Sequence, residues 1–573
     1  MSTDRDSSIK IKKKLCENLE TPLGVNKKQP RFSWLLDGDK RGTYQTAYQI
    51  LVSSNVAKLE NGIGDMWDSG KIESDKSINI KYKGQGLKRG TRYWWQVKCR
   101  DNKCRWSVDS DSSWFEMGLL EESEWTGTWI GAGENDNISA PLLRKRFTLE
   151  KKVDRARLYL SGLGYYELYL NGKSVGERLL DPSWTDYGLR EMKDLIYPIS
   201  DEMSHRVMYV TYDVTKFLQS GANIIGVMLG NGWYNQKERT TEGKLWYGLP
   251  RLLLQLNLKF KDGSRMEVGS DRTWKLASGP ITFNNIYYGE VYDARREKEG
   301  WSEKNFDTSG WKRVSQKEAP GGKLVSQLSP PDRKTKKFQP ESIYKPDKHT
   351  IIYDLGQNIS GWVKIKVKGP EGNRVKLKFA EKLTENNHLD FDSTGGQDQI
   401  QKDVYILKGS GWEIYEPHFT WHGFRYVEIT GEPELPEIDN IEGILVHTDV
   451  EQIGEFECSQ PTFNKIFALY KWSQLTNLHG GVPSDCPHRE RLGYTGDGQL
   501  TAESAIYCFD MVNFYRKWID DIADSQGEES GHVQHTAPFY GGGGGPGAWG
   551  CAYILMPWYL YLYFGDTEIL EKH

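Results

Sequence analysis

A polar segment near residue 490 carries the residue types that could perform acid–base chemistry. Residues 482–500, VPSDCPHRERLGYTGDGQL, combine His488 and Tyr494 with several carboxylates and guanidinium groups. The charged members are Asp485, Arg489, Glu490, Arg491 and Asp497. Carboxylates that lie close together raise one another's pKa, while a nearby arginine keeps another carboxylate ionised. The segment therefore has the ingredients for a general acid that stays protonated near neutral pH.

The same residues support a second interpretation equally well when composition alone is considered. Prolines and glycines interrupt the segment, which places it in a loop between helices. The loop could be a solvated polar turn in which Asp497 is the N-cap of the next helix. In that arrangement Arg489 would pair with Glu490 or with Asp485, and the segment would have no catalytic role.

Apolar residues alternate in strand fashion through the first two-thirds of the chain. Aromatic residues make up 12% of the 573 residues and glycines outnumber prolines by 59 to 22, which favours β-rich packing with many turns. Residues 155–172 alternate up to an Asn171-Gly172 turn, and residues 354–369 and 422–431 repeat the pattern. Several aromatic residues of the second β region are expected to be packing residues rather than sugar platforms: Tyr165, Tyr166, Trp184, Tyr187, Trp233 and Tyr234.

The periodicity becomes helical at about residue 455. A first helix should have Ser459 as its N-cap and Pro461 in its first turn, and further helices should cover about 498–525 and 551–564. A last helix should begin at Asp566 or Thr567. One apolar stripe consists of Phe514, Trp518 and Ile522. Three or four helices leave wide apolar faces uncovered unless more helices pack against them. We therefore expect that the chain stops inside a larger helical domain and that this stripe faces water.

Charge and cysteine usage argue against several classes of protein. The 75 basic and 79 acidic residues are interspersed and give a net charge of -4, so a nucleic-acid or membrane surface is not indicated and a neutral substrate is favoured. Without an apolar signal core or an 18-residue apolar stretch, we expect a soluble, cytoplasmic protein. The seven cysteines lack paired spacing, so we expect them to be buried, reduced thiols. His418 and His422 are expected to be structural residues rather than metal ligands. We therefore expect neither a metal nor a cofactor.

Residues 485–497, DCPHRERLGYTGD, closely resemble the signature DCP-x-R-E-R-x-G-W-x-G-D of glycoside hydrolase family 78, the bacterial α-L-rhamnosidases. The resemblance runs from about residue 30 to the end of the chain in the family's domain order, through motifs such as RFSW at 31–34 and WDSGK at 67–71. It implies a multidomain protein of β-sandwich modules followed by part of an (α/α)6 barrel of helical hairpins. The implied domains are a fibronectin- or immunoglobulin-like sandwich at 1–120, a jelly-roll at 121–325, a concanavalin-like domain at 326–450 and the start of the six-hairpin domain at 451–573.

The resemblance also implies a role for each matching residue of the motif. Glu490 would be the general acid that protonates the departing oxygen, and Asp485 and Arg489 would hold rhamnose hydroxyls. Asp497 would bind the sugar or support the acid. Because Glu490 stands between Arg489 and Arg491, it can hold a proton only if both arginines are engaged elsewhere.

Two aromatic positions complete the implied sugar site. Tyr494 stands where the family usually has tryptophan, so a stacking wall remains with a smaller ring, and His488 stands where glutamine is usual. Trp549 matches the family's sugar-facing tryptophan after the glycine-rich loop, and its indole face suits the methyl group of a 6-deoxy sugar. Cys551 replaces a frequent acidic residue, so a polar contact at that position is in doubt.

The implied activity is the removal of terminal α-L-rhamnose from a glycoside or oligosaccharide with inversion at the anomeric carbon. Inversion needs a second carboxylate about 6.5–9.5 Å from the acid, to activate water. In the family that base lies far downstream, so we expect the chain to be an incomplete fragment with little activity alone. The alternative is a non-catalytic carbohydrate-binding or scaffold protein with a vestigial helical cap. The sequence specifies neither the aglycone nor the oligomeric state.

Overall fold

The computed structural model describes residues 9–38, 40–107, 111–195, 201–238, 242–348, 350–394, 396, 399–431, 437–541 and 547–573. These residues form two compact units. The first unit comprises Met1–Trp125, Val325–Leu328 and Trp558–His573, and the second comprises Thr126–Leu324 and Ser329–Pro557. None of the helices in the described part of the chain is long and apolar enough to cross a membrane.

The first unit contains the antiparallel sandwich that its alternating residues predict. Its elements are β1 (Ile9–Cys16), β2 (Arg31–Gly38), β3 (Gln45–Ser53), α1 (Val56–Glu60), β4 (Trp67–Asp68), β5 (Ile80–Lys81), β6 (Arg92–Asp101) and β7 (Ser113–Glu116). One sheet has the strand order β1-β2-β5 and the other β4-β3-β6-β7. Phe32 and Trp34 from the first sheet and Trp95 and Phe115 from the second are completely buried in the shared core.

The described residues from 130 to 326 form fifteen further strands. They are β8 (Ile130–Gly131), β9 (Pro141–Leu149), β10 (Val153–Leu163), β11 (Tyr165–Leu170), β12 (Lys173–Ser174), β13 (Arg206–Asp213), β14 (Gly221–Gly230), β15 (Arg251–Phe260), β16 (Arg265–Gly269), β17 (Lys275–Ser278), β18 (Ile281–Asn285), β19 (Gly289–Asp293), β20 (Lys312–Arg313), β21 (Ser315–Gln316) and β22 (Lys323–Ser326). One sheet contains the order β21-β8-β15-β10-β13, and the facing sheet has the order β12-β11-β14-β9-β17-β20.

Side chains in this sandwich follow the predicted pattern. Asn171 and Gly172 both have positive φ, 52° and 83°, as the two-residue turn between β11 and β12 requires. The packing interpretation of the aromatic residues in this region is confirmed, because each of those six side chains is buried. The rings of Trp184 and Trp233, for example, stack with centroids 3.7 Å apart.

The third sheet draws strands from two of the predicted domains. Its elements follow β22 as β23 (Asp332–Phe338), β24 (Ser342–Tyr344), β25 (Thr350–Lys368), β26 (Arg374–Ala380), β27 (Lys382–Leu383), β28 (Leu389–Asp390), β29 (Gln401–Ile406), β30 (Trp412–Tyr415), β31 (His422–Gly431) and β32 (Ile441–Thr448). The strand order is β18-β19-β29-β26-β31-β25-β32-β23, while β27 and β28 pair separately. Thus β18 and β19 join this sheet although their sequence lies before residue 325, and the four predicted domain boundaries stay predictions.

Helices dominate after residue 460, with small strands between them. The elements are α2 (Pro461–Thr476), β33 (Leu478–His479), β34 (Val482–Pro483), α3 (Thr495–Cys508), α4 (Val512–Asp524), α5 (Gly547–Gly550), α6 (Ala552–Phe564) and α7 (Thr567–Lys572). The N-cap of α2 is Gln460 rather than Ser459, because the Gln460 side chain accepts the Thr462 N–H. The helix expected over 498–525 is two helices, because Phe509 adopts an extended backbone and ends α3. Most of the run Gly541–Gly545 lies outside the described residues.

The expectation that Phe514, Trp518 and Ile522 face water is wrong. All three side chains are fully buried. The indole N–H of Trp518 donates to the carbonyl of Ala537 at 2.9 Å, because the segment after α4 folds back over this stripe. A β-carbon at Gly498 would lie 2.2 Å from the Trp518 ring, so only glycine fits there. Other apolar side chains of the helical region are exposed, among them Phe463, Ile466, Leu469, Leu500, Tyr507 and Ile554.

The predicted start of the last helix is confirmed. Asp566 is the N-cap of α7, and its side chain accepts the Ile569 N–H. The same carboxylate pairs with the buried guanidinium of Arg31 at 2.8 Å inside the first unit. Arg31 also pairs with Glu17 at 3.1 Å, so the cation is balanced by two buried carboxylates.

The buried-thiol expectation holds only in part. All seven cysteines are free. Cys16, Cys99 and Cys508 are buried, whereas Cys104 is exposed. The remaining three are half-buried, and one of them, Cys486, lies in the polar loop around residue 490.

The contrast between Trp518 and Ile466 gives a stability prediction. Trp518→Ala removes a fully buried indole and should lower the free energy of unfolding by about 3–5 kcal/mol. Ile466→Ala, at a side chain that is 54% exposed, should change it by less than about 0.5 kcal/mol. Urea denaturation followed by tryptophan fluorescence and circular dichroism measures both. Equal losses for the two variants would contradict the burial described here.

Candidate active site

The polar loop runs from Ser484 to Tyr494, between β34 and α3. Its two ends are tied by backbone hydrogen bonds: Asp485 N–H donates to the Leu492 carbonyl at 3.3 Å, and Ser484 N–H donates to Asn477 at 2.8 Å. Gly493 lies so close to the segment after α4 that a β-carbon there would be 2.3 Å from the Ala537 carbonyl oxygen. The loop therefore has a fixed path rather than that of a loose solvated turn.

Arg491 anchors this loop to the third sheet. It has a positive φ of 59°, and its side chain is 2% exposed. The guanidinium donates to the carbonyls of Ile286 and Trp421, the latter at 2.7 Å, and to Gln401 Oε1 at 2.6 Å. It also lies 4.4 Å from the centroid of the Trp421 ring. A planar donor with five N–H groups suits such a set of acceptors, and lysine could not reproduce it.

Three further hydrogen bonds hold the loop, two to its backbone and one to the ring of His488. The hydroxyl of Tyr287, in the turn between β18 and β19, donates to the Glu490 carbonyl at 2.9 Å. Gln399 Nε2 donates to the Arg489 carbonyl at 2.8 Å. The ring of His488 bonds the Ser393 carbonyl at 3.0 Å, so His488 faces the β-sheet. These partners cannot be read from the sequence, because they lie 90 or more residues before the loop.

The loop brings two carboxyl groups and a thiol together. Cys486 Sγ lies 2.9 Å from Asp485 Oδ2 and 3.3 Å from Glu490 Oε2, so the thiol can donate to either carboxyl group. Arg489 forms a two-point pair with Glu490, through Nε to Oε2 at 2.8 Å and Nη2 to Oε1 at 2.6 Å. The Leu492 N–H donates to Asp485 Oδ1 at 3.3 Å. Both carboxyl groups therefore have fixed orientations.

Burial and pairing shift the pKa values of Asp485 and Glu490 in opposite directions. Burial, together with the hydrogen bond and negative charge of Glu490, raises the pKa of Asp485 to about 7. Burial would also raise the pKa of Glu490, but hydrogen bonds from Arg489, Asp485 and Cys486 outweigh it and lower that pKa to about 2. Burial beside Asp485 raises the pKa of the Cys486 thiol to about 12. Up to about pH 7 the pair therefore holds one proton, mainly on Asp485, beside a neutral thiol.

This arrangement differs from the sequence expectation at Arg489. Arg491 is engaged elsewhere, as expected, whereas Arg489 pairs with Glu490 itself. The physical reason is proximity: the guanidinium of Arg489 is 48% exposed and its nearest anion is the neighbouring carboxylate. The interpretation of the segment as a polar turn predicted this pairing. The same interpretation also predicted that Asp497 is the N-cap of α3, and that is wrong because the N-cap is Tyr494.

The remaining site residues lie at the start of α3. Asp497 is exposed in the first helical turn, where the helix dipole favours a negative charge. Trp549 on α5 is half-buried and lies directly against Gly496, where a β-carbon would be 2.5 Å from the indole. Tyr494 is half-buried at the N-cap. The loop and this helix start together present acids, a guanidinium and two aromatic rings to one region.

A divalent metal is the other occupant that the carboxyl cluster could hold. Asp485, Cys486 and Glu490 offer ligand atoms that all lie within 4.8 Å of one another. However, the thiol and the guanidinium of Arg489 already occupy these carboxyl oxygens. The protonation of the cluster suits acid–base chemistry better, because a metal would require an ionised thiol and two ionised carboxylates.

Profiles of four domain families match successive parts of the chain. They are the Rha78A-like N-terminal immunoglobulin domain at residues 11–121 and the alpha-L-rhamnosidase N-terminal domain at 151–336. The bacterial alpha-L-rhamnosidase concanavalin-like domain matches residues 344–447, and the bacterial alpha-L-rhamnosidase 6 hairpin glycosidase domain matches 451–573. The fold class predicted from the sequence is confirmed, with β-sandwich modules followed by helices of the six-hairpin domain.

Known relatives match over nearly the whole chain. An "Alpha-L-rhamnosidase" of Formosa agariphila is 38% identical over 99% of this chain and 62% of its own length. A solved α-L-rhamnosidase from Dictyoglumus thermophilum has a TM-score of 0.90 and 42% identity, over 99% of this chain and 63% of its own. A Streptomyces avermitilis α-L-rhamnosidase complexed with L-rhamnose has a TM-score of 0.91 and 29% identity, over 98% and 70%. The chain thus spans less than two-thirds of the length of the first two relatives. It belongs to the bacterial α-L-rhamnosidases of glycoside hydrolase family 78.

Proposed function

We propose that this protein hydrolyses terminal α-L-rhamnosides through general acid catalysis by the Asp485–Glu490 pair. The observation that carries the proposal is the pair of fixed carboxyl groups of Asp485 and Glu490, which both lie within 3.3 Å of Cys486 Sγ and of which Glu490 pairs with Arg489 at 2.8 Å. A general acid must hold a proton near neutral pH and deliver it to a bound oxygen. The rhamnose complex of a relative and the rhamnosidase names of the relatives reported above support the substrate class and do not support a non-catalytic scaffold.

Glu490 is the proposed acid, and Asp485 is its proton source. In the arrangement described here Arg489 keeps Glu490 ionised. A sugar hydroxyl that binds the guanidinium would draw it away from Glu490, and the pKa of that carboxyl would then rise toward its buried value. The proton can pass from Asp485 to Glu490 along the hydrogen bond between the two carboxyl groups and then to the glycosidic oxygen. Binding of the correct sugar would thereby protonate Glu490.

The other predicted residues supply binding. We propose that Asp485 and Arg489 hold rhamnose hydroxyls, and that Asp497 binds the sugar or supports the acid. Trp549 and Tyr494 present apolar faces, which suit the methyl group of a 6-deoxy sugar. Inversion would further require a base on the opposite side of the ring. Among the residues that the structure describes, we assign none to that role.

We also propose a reducing, cytoplasmic setting. All seven cysteines are free, and four of them are exposed or half-buried. Thiols of this kind persist in compartments that keep cysteine reduced.

Glu490→Gln tests the acid directly, in the protein expressed from its complete coding sequence. For an alkyl rhamnoside, whose leaving group needs protonation, kcat should fall by about 10²–10⁴-fold. For a nitrophenyl rhamnoside, which departs without protonation, the loss should be much smaller. Steady-state kinetics on the two substrates measures the difference.

Asp497→Asn is the matched control for leaving-group dependence. It should lower the rates of hydrolysis of both substrates by the same factor, because it affects sugar binding and the pKa of the acid rather than proton delivery. If Glu490→Gln reduced both rates equally, the acid role would move to Asp485 or Asp497. The proposal for Glu490 would then be wrong.

Cys486 gives a pH prediction with a defined sign. Its thiol hydrogen bonds stabilise the ionised forms of Asp485 and Glu490, and so lower the pKa of each. Cys486→Ala removes the donor, so the last proton of the pair should leave at higher pH and the alkaline limb of kcat/KM should move up. Cys486→Ser keeps a donor and should leave the limb near the wild-type position. The pH–rate profile of alkyl rhamnoside hydrolysis measures both, because that leaving group depends on the proton of the pair.

Cys458→Ala, at a half-buried thiol away from the loop, is the control and should leave the profile unchanged. A downward shift of the alkaline limb in Cys486→Ala, or the same shift in Cys458→Ala, would show that the thiol does not stabilise the ionised pair.

A further inference from the structure

The second unit contains a cleft of about 570 Å³ between the β11–β12 sheet and the third sheet. Its walls come from β11, from the segment that follows β12, from β23 and β25, and from residues 416–418. Among the described residues that line it, none belongs to the polar loop or to the start of α3. The cleft is therefore built separately from the site described above.

The charges that line this cleft are balanced. The acidic residues are Glu167, Glu177, Asp181 and Glu416, and the basic residues are Arg178, Arg333, Lys334 and His418. Three pairs join six of them. Arg178 Nη2 lies 3.0 Å from Asp181 Oδ1, His418 Nδ1 lies 2.9 Å from Glu167 Oε1, and Lys334 Nζ lies 2.8 Å from Glu416 Oε2. An ionic ligand would compete with these pairs, whereas a neutral ligand would leave them intact.

His418 contributes as a cation. Burial alone would lower its pKa, but Glu167, followed by Glu290 and Glu416, outweighs burial and raises it to about 9. The imidazolium is thus present at neutral pH and holds Glu167 in place. The two histidines at positions 418 and 422 therefore have separate carboxylate partners. His418 pairs with Glu167, and His422 is buried against Asp403.

Aromatic rings complete the lining and are themselves fixed by hydrogen bonds. The hydroxyls of Tyr166 and Tyr212 lie 2.9 Å apart. The indole N–H of Trp362 donates to Glu416 at 3.1 Å, and the hydroxyl of Tyr169 donates to Glu167. Side chains held in this way lose little rotamer freedom when a ligand binds, so the cleft is preorganised.

We propose that this cleft binds a neutral saccharide unit and is a second carbohydrate site of the protein. Carboxylates that are already paired keep lone pairs for sugar hydroxyls, and guanidinium and ammonium groups keep N–H donors. The half-buried ring of Tyr169, which also lines the cleft, suits the C–H face of a sugar, and the volume falls within the usual range of about 300–1,000 Å³ for small-molecule sites. The choice of a carbohydrate rests on the proposed function; the choice of a neutral one rests on the balanced charges.

Ser174→Trp tests the cleft because Ser174 is exposed on the edge strand β12 and lines it. Lys173→Trp is the matched control, since alternate residues of a strand point to opposite faces and Lys173 is not among the lining residues. Calorimetric titration uses three rhamnose-free neutral disaccharides, cellobiose, lactose and maltose, with digalacturonate as the anionic probe. L-rhamnose is titrated separately to report on the polar loop.

At least one neutral disaccharide should bind the wild type and Lys173→Trp equally and bind Ser174→Trp at least about tenfold more weakly. L-rhamnose affinity should be the same in all three proteins. The proposal is overturned if none of the three disaccharides binds, if Ser174→Trp leaves their affinity unchanged, or if digalacturonate binds more tightly than they do. Failure of the proposed function would appear instead as loss of L-rhamnose binding from all three proteins, with the disaccharide result unaffected.

Discussion

The buried guanidinium of Arg491 is the interaction on which the acid site depends. A hydrogen bond to a charged group contributes about 1.5–3 kcal/mol, and Arg491 makes such bonds to Ile286, Trp421 and Gln401. These acceptors come from three separate segments: the turn between β18 and β19, the residue before β31, and the start of β29. Because Arg491 directly follows Glu490, its position fixes where that carboxylate can lie. The β-sheet region thus serves as the rigid support of a loop that belongs, by sequence, to the helical domain.

The same support explains why two neighbouring acids behave differently. Desolvation penalises the charge on both, but the exposed guanidinium of Arg489 pairs with Glu490. Asp485 is left with the weaker donors Cys486 and the Leu492 N–H, and so retains the proton. Arg489 is also the group that the sugar is proposed to bind. One exposed arginine therefore couples ligand binding to the protonation of the acid.

Sequence reasoning identified the loop and its residue types but not their pairing. The motif, the strand alternation and the Asp566 cap are local patterns, which a sequence displays directly. Tyr287 and Gln401 were missed because their contacts depend on β18, β19 and β29 meeting beside the loop, a topology that alternation does not specify. The apolar stripe at Trp518 was expected to be exposed because its cover, near Ala537, is an irregular segment without periodicity. Likewise, the partner of Arg489 depends on side-chain reach rather than on spacing.

The central claim is that Asp485 holds a proton up to about pH 7 while Glu490 is ionised. The most direct test is a ¹³C NMR titration of the aspartate side-chain carboxyls, with Asp485→Asn used to assign the Asp485 signal. The account predicts a midpoint for Asp485 near pH 7. A midpoint near the ordinary aspartate value of about 4 would contradict it, because the pair would then be fully ionised at neutral pH and could not supply an acid.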